Sequence, residues 1–276
     1  MIDRCTPEEY AAHYGVSVAE AAYYLSKLEE LEAEEGRCLS EIFSGIQGPV
    51  VELGAGQGQF TREILEKYLK PGQKLYAVER LEAAALELRQ RVKDERMEVL
   101  PADASHLPLP DGAAGLVISR MALHDFVSDD GDVLSALGDG VRVLAPGGVF
   151  LIYDKVRDGF GEVERESAEG RMERINVELA RLEGRRCWGL HRLQDYIDLM
   201  QGLGLEGIGH TIFLRPDAPG YIRHLKEELE KARPRYVQRW GQEVNQIIDA
   251  FLEEADSLPN RALPLVMVWG RRRGIN

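Results

Sequence analysis

The chain has 276 residues, and 34 Lys and Arg against 47 Asp and Glu give a formal net charge of −13 at pH 7. A hydrophobic content of 44% with 29% charged residues excludes global disorder, and the length leaves room for one large α/β domain with additions or two small ones. The acidic excess disfavours non-specific nucleic-acid or anionic-membrane binding, and no apolar stretch reaches the roughly 18 residues of a membrane span.

Residues 1–45 read as helices. Thr6-Pro7-Glu8-Glu9 and Ser17-Val18-Ala19-Glu20 are capping boxes, and Gly15 and Gly36 are the expected helix ends. Leu25, Leu28, Leu31, Leu39 and Ile42 form an apolar stripe, with glutamates between them facing water. From residue 49 short apolar runs alternate with amphipathic stretches, the pattern of a parallel sheet covered by helices. Strands are predicted at 50–53, 74–78, 97–100, 116–119 and 149–153, with helices at 59–69, 81–92 and 133–144 between them. A helix-like segment at 155–186, a helix at 191–202 and a sixth strand at 207–214 follow. A long helical stretch at 217–256 must be broken by Pro234, and a last strand covers 264–269.

Cys5, Cys38 and Cys187 are scattered without a CxxC spacing, so neither a disulfide framework nor a metal site is expected. The start, MIDRCTPEEY, has no signal-peptide pattern, and a cytoplasmic protein is the expectation. The most informative stretch is Glu52-Leu53-Gly54-Ala55-Gly56-Gln57-Gly58-Gln59, which leads from a buried strand through a glycine turn into a helix. Glycines admit positive φ and close approach of a ligand. In the dinucleotide fingerprint a third glycine would stand where Gln59 does, so the GxGxG spacing counts against a nicotinamide or flavin fold. Glu52, just before the loop, would repel a pyrophosphate and attract a cation.

On these residues the chain resembles the class I S-adenosylmethionine-dependent methyltransferases, over about residues 49–154. The resemblance implies that Glu52, Gly54, Gly56 and Gly58 wrap the aminoacid part of the cofactor. Glu79, ending Leu75-Tyr76-Ala77-Val78-Glu79, would hold both ribose hydroxyls, two carboxylate oxygens suiting two adjacent donors. In Val99-Leu100-Pro101-Ala102-Asp103-Ala104, Asp103 would accept from the adenine amino group and the Ala104 N–H would meet a ring nitrogen. Arg80 and Ser119 complete the implied cofactor-binding set. The segment from Leu107 to Asp125 is similar to quinone-biosynthesis-type small-molecule methyltransferases, and Val143-Leu144-Ala145-Pro146-Gly147-Gly148 resembles their turn before strand five. One departure is Gly115, where an acidic residue is usual.

The implied fold is a doubly wound, Rossmann-like, seven-stranded, mostly parallel sheet with an antiparallel last strand and a helical cap. Its expected parts are an N-terminal helical segment (1–45), a cofactor-binding core (46–154), a helical insertion (155–190), a core helix with strand six (191–214), a second insertion (215–262) and the last strand with its tail (263–276). Both insertions leave from the carboxyl ends of the strands, where ligands bind in such sheets, so they are expected to form a cap, with a homodimer interface as the alternative use. The implied reaction is methyl transfer by in-line displacement to a small-molecule acceptor, which positioning alone can accelerate without a dedicated base. His124 and Asp154 are the catalytic candidates, His124 because an imidazole suits proton transfer near neutral pH. Tyr14, Tyr23 and His191 are candidates for the acceptor wall, the tyrosines because aromatic faces attract a sulfonium. The sequence leaves the acceptor and its nucleophilic atom undefined. Rival readings are an aminopropyl-type transfer on the same fold and a DNA-binding regulator, since residues 11–25 have a helix, a glycine turn and a second helix. The run of glutamates that follows Lys27 argues against the latter.

Overall fold

A computed structural model describes residues 5–128, 133–157 and 167–274. Parts of the sequence-derived segments, namely 1–4, 129–132 of the core, 158–166 of the first insertion and 275–276, lie outside the described residues. The strands of the main sheet are β1 (Val50–Leu53), β2 (Leu75–Val78), β3 (Met97–Leu100), β4 (Ala114–Arg120), β5 (Leu144–Lys155), β6 (Leu205–Phe213) and β7 (Leu265–Arg272). They form one sheet in the order β3-β2-β1-β4-β5-β7-β6, with β7 antiparallel to both of its neighbours. The mostly parallel strands and antiparallel last strand are those the motif order implies. Order reverses between β1 and β4, which opens a crevice at their carboxyl ends.

The helices are α1 (Pro7–Tyr14), α2 (Val18–Ser44), α3 (Gln59–Glu63), α4 (Glu82–Arg91), α5 (Val133–Val143), α6 (Ala168–Leu182), α7 (Leu193–Gly202), α8 (Tyr221–Trp240) and α9 (Val244–Glu254). One face of the sheet packs Val50, Leu75, Leu116 and Leu151 against α2, α3 and α4, and the other packs Val51, Val117 and Ile152 against α5 and α7. A separate apolar core joins α6, α8 and α9 through Ile175, Leu179, Leu225, Leu229, Ile248 and Phe251. Ion pairs from Lys155 at the end of β5 to Glu169 and Glu173 hold α6 beside the strand ends.

Both capping boxes form, at Thr6 and at Ser17, and Gly15 ends α1 in the left-handed region at φ 58°. Gly36, however, does not end a helix: α2 runs on to Ser44, because Leu31, Glu35, Leu39 and Phe43 continue one buried face across it. That burial outweighs the roughly 1 kcal/mol an interior glycine costs. Nor does Pro234 break the second insertion. It lies inside α8, whose inward side continues past it with Tyr236, Val237 and Trp240 packed on the core shared with α6 and α9, and the break falls at Gly241, φ 77°. The helix expected at 59–69 is α3 followed by a π-helical turn, Ile64–Tyr68, closed by the Leu69 N–H donating to Ile64 O at 2.8 Å. The departure at Gly115 has a steric cause, since a Cβ there would stand 1.7 Å from the Gln47 carbonyl oxygen.

Candidate active site

The glycine turn lies at the carboxyl end of β1. Gly54, Gly56 and Gly58 all have positive φ, at 74°, 53° and 86°. Their reasons differ. A Cβ on Gly54 would come within 2.6 Å of Ala122 Cβ, and one on Gly58 within 2.2 Å of Leu88 Cδ1, so both admit close packing by protein side chains. Only Gly56 of the three faces open space, with nothing within 4 Å of its virtual Cβ. The loop is fixed by Gly54 and Ala55 N–H groups donating to Val78 O at 3.0 and 2.9 Å.

Glu79 stands across this loop, nearly buried. Its Oε2 accepts from Gly56 N–H at 2.9 Å and its Oε1 from Leu81 N–H at 2.8 Å. The carboxylate therefore clamps the glycine turn to the end of β2 as well as offering lone pairs to a diol. Asp103 accepts from the Ser105 N–H and hydroxyl at 2.9 and 2.8 Å. Burial raises its pKa, but these hydrogen bonds and the Arg80 charge outweigh that and hold the carboxyl below its usual range. Arg80 lies 4.0 Å from Asp103, and Ala104 is half-buried beside it. Ser119, at the end of β4, is fully buried with an unpartnered hydroxyl. The open space at Gly56, the diol-matched Glu79 and the unpartnered Ser119 hydroxyl fit an adenosyl amino acid.

Glu52 lies in β1, 2% exposed, and accepts from the Thr61 hydroxyl at 2.7 Å. Burial pushes its carboxyl up to about 8 against the lowering effect of that bond and of Arg120. Arg120 ties helices to the sheet: it lies 2.7 Å from Glu63 of α3 and 3.7 Å from Glu35 of α2, with its guanidinium 4.6 Å from the Phe60 ring centroid. Arg120 lies within the Leu107–Asp125 segment, and no sequence motif assigns it a role. Its one legible signal is a cation directly ending an apolar strand.

On the other side of the crevice β4 leads through Met121, φ 51°, into a short 3-10 turn carrying His124. Asp154, at the end of β5 and wholly buried, holds this turn twice. Its Oδ1 pairs with His124 Nδ1, and its Oδ2 accepts from the His124 backbone N–H at 3.0 Å. The two catalytic candidates, 30 residues apart in sequence, are thus one unit. Burial lowers the imidazole pKa, but Asp154, with Asp125 and Glu173 nearby, outweighs it and pushes the group up to about 9. This favours the protonated form of the ring at neutral pH, in which both nitrogens are donors, over the free base that an ordinary imidazole pKa implies. Asp125, Lys155, Glu169, Glu173 and Arg215 join the same region, Arg215 pairing with Glu169 at 2.8 Å. No local pattern marks this group, because it assembles from four separated segments.

Of the acceptor-wall candidates, Tyr14 and Tyr23 lie on the N-terminal helices, while His191 lies two residues beyond Gly189, whose N–H donates to the His124 carbonyl oxygen at 3.0 Å. Tyr14 is buried in a cluster with Tyr10, Ala21 and Tyr24, its ring stacked 4.3 Å from Tyr10 and 4.9 Å from His224 of α8. Tyr23 is 68% exposed, on a groove of about 610 Å³ between α2 and the 214–219 link that no glycine-loop or β4-end residue lines. His191 precedes α7, stacks on Trp188 at 4.0 Å, and has Nε2 2.9 Å from the Trp188 carbonyl oxygen. Helical spacing on α1 and α2 placed the tyrosines correctly on helices, but their inward side meets α8 and their outward side solvent. The segment that resembled a helix-turn-helix is α1, the Gly15 turn and α2, whose inward face is occupied by the core.

Among known proteins, residues 51–152 match a family model described as a methyltransferase domain. No curated protein matches the chain significantly. Solved structures share its fold. The [4+2]-cyclase SpnF aligns with TM-score 0.57 at 15% identity, covering 88% of this chain and 81% of that one. Geranyl diphosphate C-methyltransferase from Streptomyces coelicolor A3(2), solved with Mg2+, geranyl diphosphate and S-adenosyl-L-homocysteine, gives 0.54 at 17% identity, with 90% and 83% covered. Haemonchus contortus phosphoethanolamine N-methyltransferase 2, solved with S-adenosyl-L-methionine, gives 0.56 at 15% identity, with 87% of this chain and 52% of that one covered. The family match is to the methyltransferase domain at large, coarser than the quinone-biosynthesis-type likeness of the β4 region. Residues 51–152 thus match a methyltransferase domain, and the sheet around them has the fold of the solved methyltransferases named above.

Proposed function

We propose that the protein transfers a methyl group from S-adenosylmethionine to a small-molecule acceptor. The observation that carries this reading is the convergence of the Gly56 turn, Glu79 and the His124–Asp154 unit on one crevice at the carboxyl ends of β1, β2, β4 and β5. In this reading Glu79 takes the ribose hydroxyls, Asp103 and the Ala104 N–H the adenine, and Glu52 with the glycine turn the aminoacid end. Arg80 and Ser119 border the same cofactor. The acceptor enters between the glycine turn and His124, on the side closed by α6. Bound there, the cofactor supplies an electrophilic methyl on a sulfonium. The chain aligns the acceptor with it and excludes water, which in well-oriented systems contributes on the order of 7–11 kcal/mol without a base. His124 borders the reacting end of the acceptor, and Asp154 is its positioning residue.

Calorimetry with S-adenosylmethionine and with NAD tests the cofactor assignment, and release of S-adenosylhomocysteine over a panel of small amines, phenols and carboxylates tests the transfer. Binding of S-adenosylmethionine and not NAD is expected; the reverse overturns the reading. Because SpnF bears the same fold as a cyclase, product formation has to be read from the methylated acceptor. Glu79→Ala is expected to weaken cofactor binding by about 10- to 150-fold, the loss of hydrogen bonds worth roughly 1.5–3 kcal/mol. The Gly56 amide loses its partner in the same variant.

A further inference from the structure

We infer that His124, Asp125 and Glu173 form a binding site for one divalent first-row transition ion. Their ligand atoms all lie within 4.8 Å of one another, on the 3-10 turn after β4 and on α6. His124 Nε2 is 3.6 Å from Asp125 Oδ2 and 3.7 Å from Glu173 Oε2. Ligands bound at roughly 2.0–2.2 Å stand about 3–3.5 Å apart around such an ion, so shifts of a few tenths of an ångström close the two imidazole–carboxylate distances, and a pair as wide as 4.8 Å needs a shift of about 1.3 Å.

Each of the three side chains is held through its other polar atom. His124 Nδ1 is taken by Asp154, which leaves Nε2 facing the cluster. Asp125 Oδ1 accepts from the Asn176 amide at 3.1 Å, which leaves Oδ2 facing it. Glu173 Oε1 is taken by the Lys155 ammonium, which leaves Oε2, with the Asn176 amide only at 3.5 Å. A carboxylate behind a ligating histidine is the usual outer shell of a metal centre, fixing ring orientation and tautomer.

A second observation is independent of the acidic count. His124 is only 6% exposed, yet its Nε2 makes no hydrogen bond among the described residues, the nearest carboxylate oxygens lying beyond 3.5 Å. This ring nitrogen faces two carboxylate oxygens, and a divalent cation that replaces its proton would be bound by all three. One imidazole with two carboxylates suits Mn²⁺, Fe²⁺, Co²⁺ or Zn²⁺ better than Mg²⁺ or Ca²⁺, which favour all-oxygen sites. Three protein ligands leave coordination positions open, and the Asp125 side chain, 56% exposed, lies on the side open to solvent.

The test uses the full chain, freed of metal by a chelator and titrated with Mn²⁺ while the free-ion paramagnetic resonance signal is followed, then with Zn²⁺ by calorimetry. One equivalent is expected. Glu173→Gln and Asp125→Asn should each weaken binding at least about 10-fold, and Asp154→Asn by roughly 10- to 100-fold through the imidazole it orients. Glu30→Gln, an exposed acid of α2, serves as the control and should change nothing. Failure to bind an equivalent of either ion overturns the proposal, as does binding that survives unchanged in both Glu173→Gln and Asp125→Asn. Thermal melts establish that the variants are folded. S-adenosylmethionine calorimetry on the same samples keeps failure of the metal site distinct from failure of the methyltransferase reading.

Discussion

Two residues show how burial, and not residue type alone, sets the behaviour of the core of the site. Glu52 is a carboxylic acid whose pKa burial lifts to about 8, so the folded state holds a proton that the unfolded chain releases near 4.5. Stability from this group is complete below about 4.5 and falls as the pH rises through that window to about 8, because the unfolded state then binds fewer protons than the folded one. Glu52→Gln cannot lose the proton. Its melting temperature is expected to match wild type near pH 5 and to exceed it at pH 8.5, and equal pH dependence of the two melting curves would show that Glu52 is ionised throughout. A cationic cofactor favours the ionised carboxylate, so its binding should release protons, seen as an enthalpy that varies with buffer. Gly115 is the second residue. Restoring the acidic side chain usual in the family, Gly115→Asp, drives a Cβ onto the Gln47 carbonyl oxygen at 1.7 Å. Urea unfolding should show a loss of about 4 kcal/mol or more, in the range that only severe steric or burial faults reach.

At the scale of the element, α2 and α8 are helices that local propensity would have cut. Gly36 interrupts the pattern of α2, but the buried face passes through it and the nearest atom to a virtual Cβ is Tyr68 Oη at 3.8 Å. Gly36→Ala should therefore stabilise the protein by roughly 0.5–1 kcal/mol, through lower entropy of the unfolded chain and better helix propensity. A loss of stability in urea melts would mean that the residue is not in a continuous helix. Pro234 removes one backbone donor from α8, while Leu225 and Leu229 before it and Val237 and Trp240 after it meet the same core. The apolar contact on both sides of the proline keeps the helix in one piece.

At the scale of the molecule, the two sheet-face cores contain no residue from 218–261, whereas α6, α8 and α9 share a core of their own. The ends of that stretch are adjacent, since the Ala262 N–H donates to Asp217 Oδ1 at 2.9 Å. Replacing 218–261 by a short Gly-Ser linker should accordingly keep the sheet, the glycine turn and cofactor binding. Turnover of any acceptor that the full chain methylates should be lost, because α6 loses its packing partners and the crevice its cover. Normal turnover by the shortened chain would show that these helices serve another purpose than a cap.

The residues proposed to hold the cofactor were legible in sequence because their motifs are local: Glu52 to Gly58, Glu79, and Asp103 with Ala104 each lie at or just past the end of a strand, and βα alternation signals a parallel sheet. The same local signals determined both capping boxes and the seven strands. They did not determine why the glycines are there, since Gly54 and Gly58 make room for Ala122 and Leu88, which approach from distant segments. Neither did they place Tyr14 and Tyr23, because a helical period fixes which side chains share a face and not what that face meets. The pairing of His124 with Asp154, and the convergence of Asp125, Lys155 and Glu173 beside them, arise only when β4, β5 and α6 are brought together. Tertiary structure alone decides such contacts, because burial and charge around a side chain depend on segments that the chain separates by tens of residues.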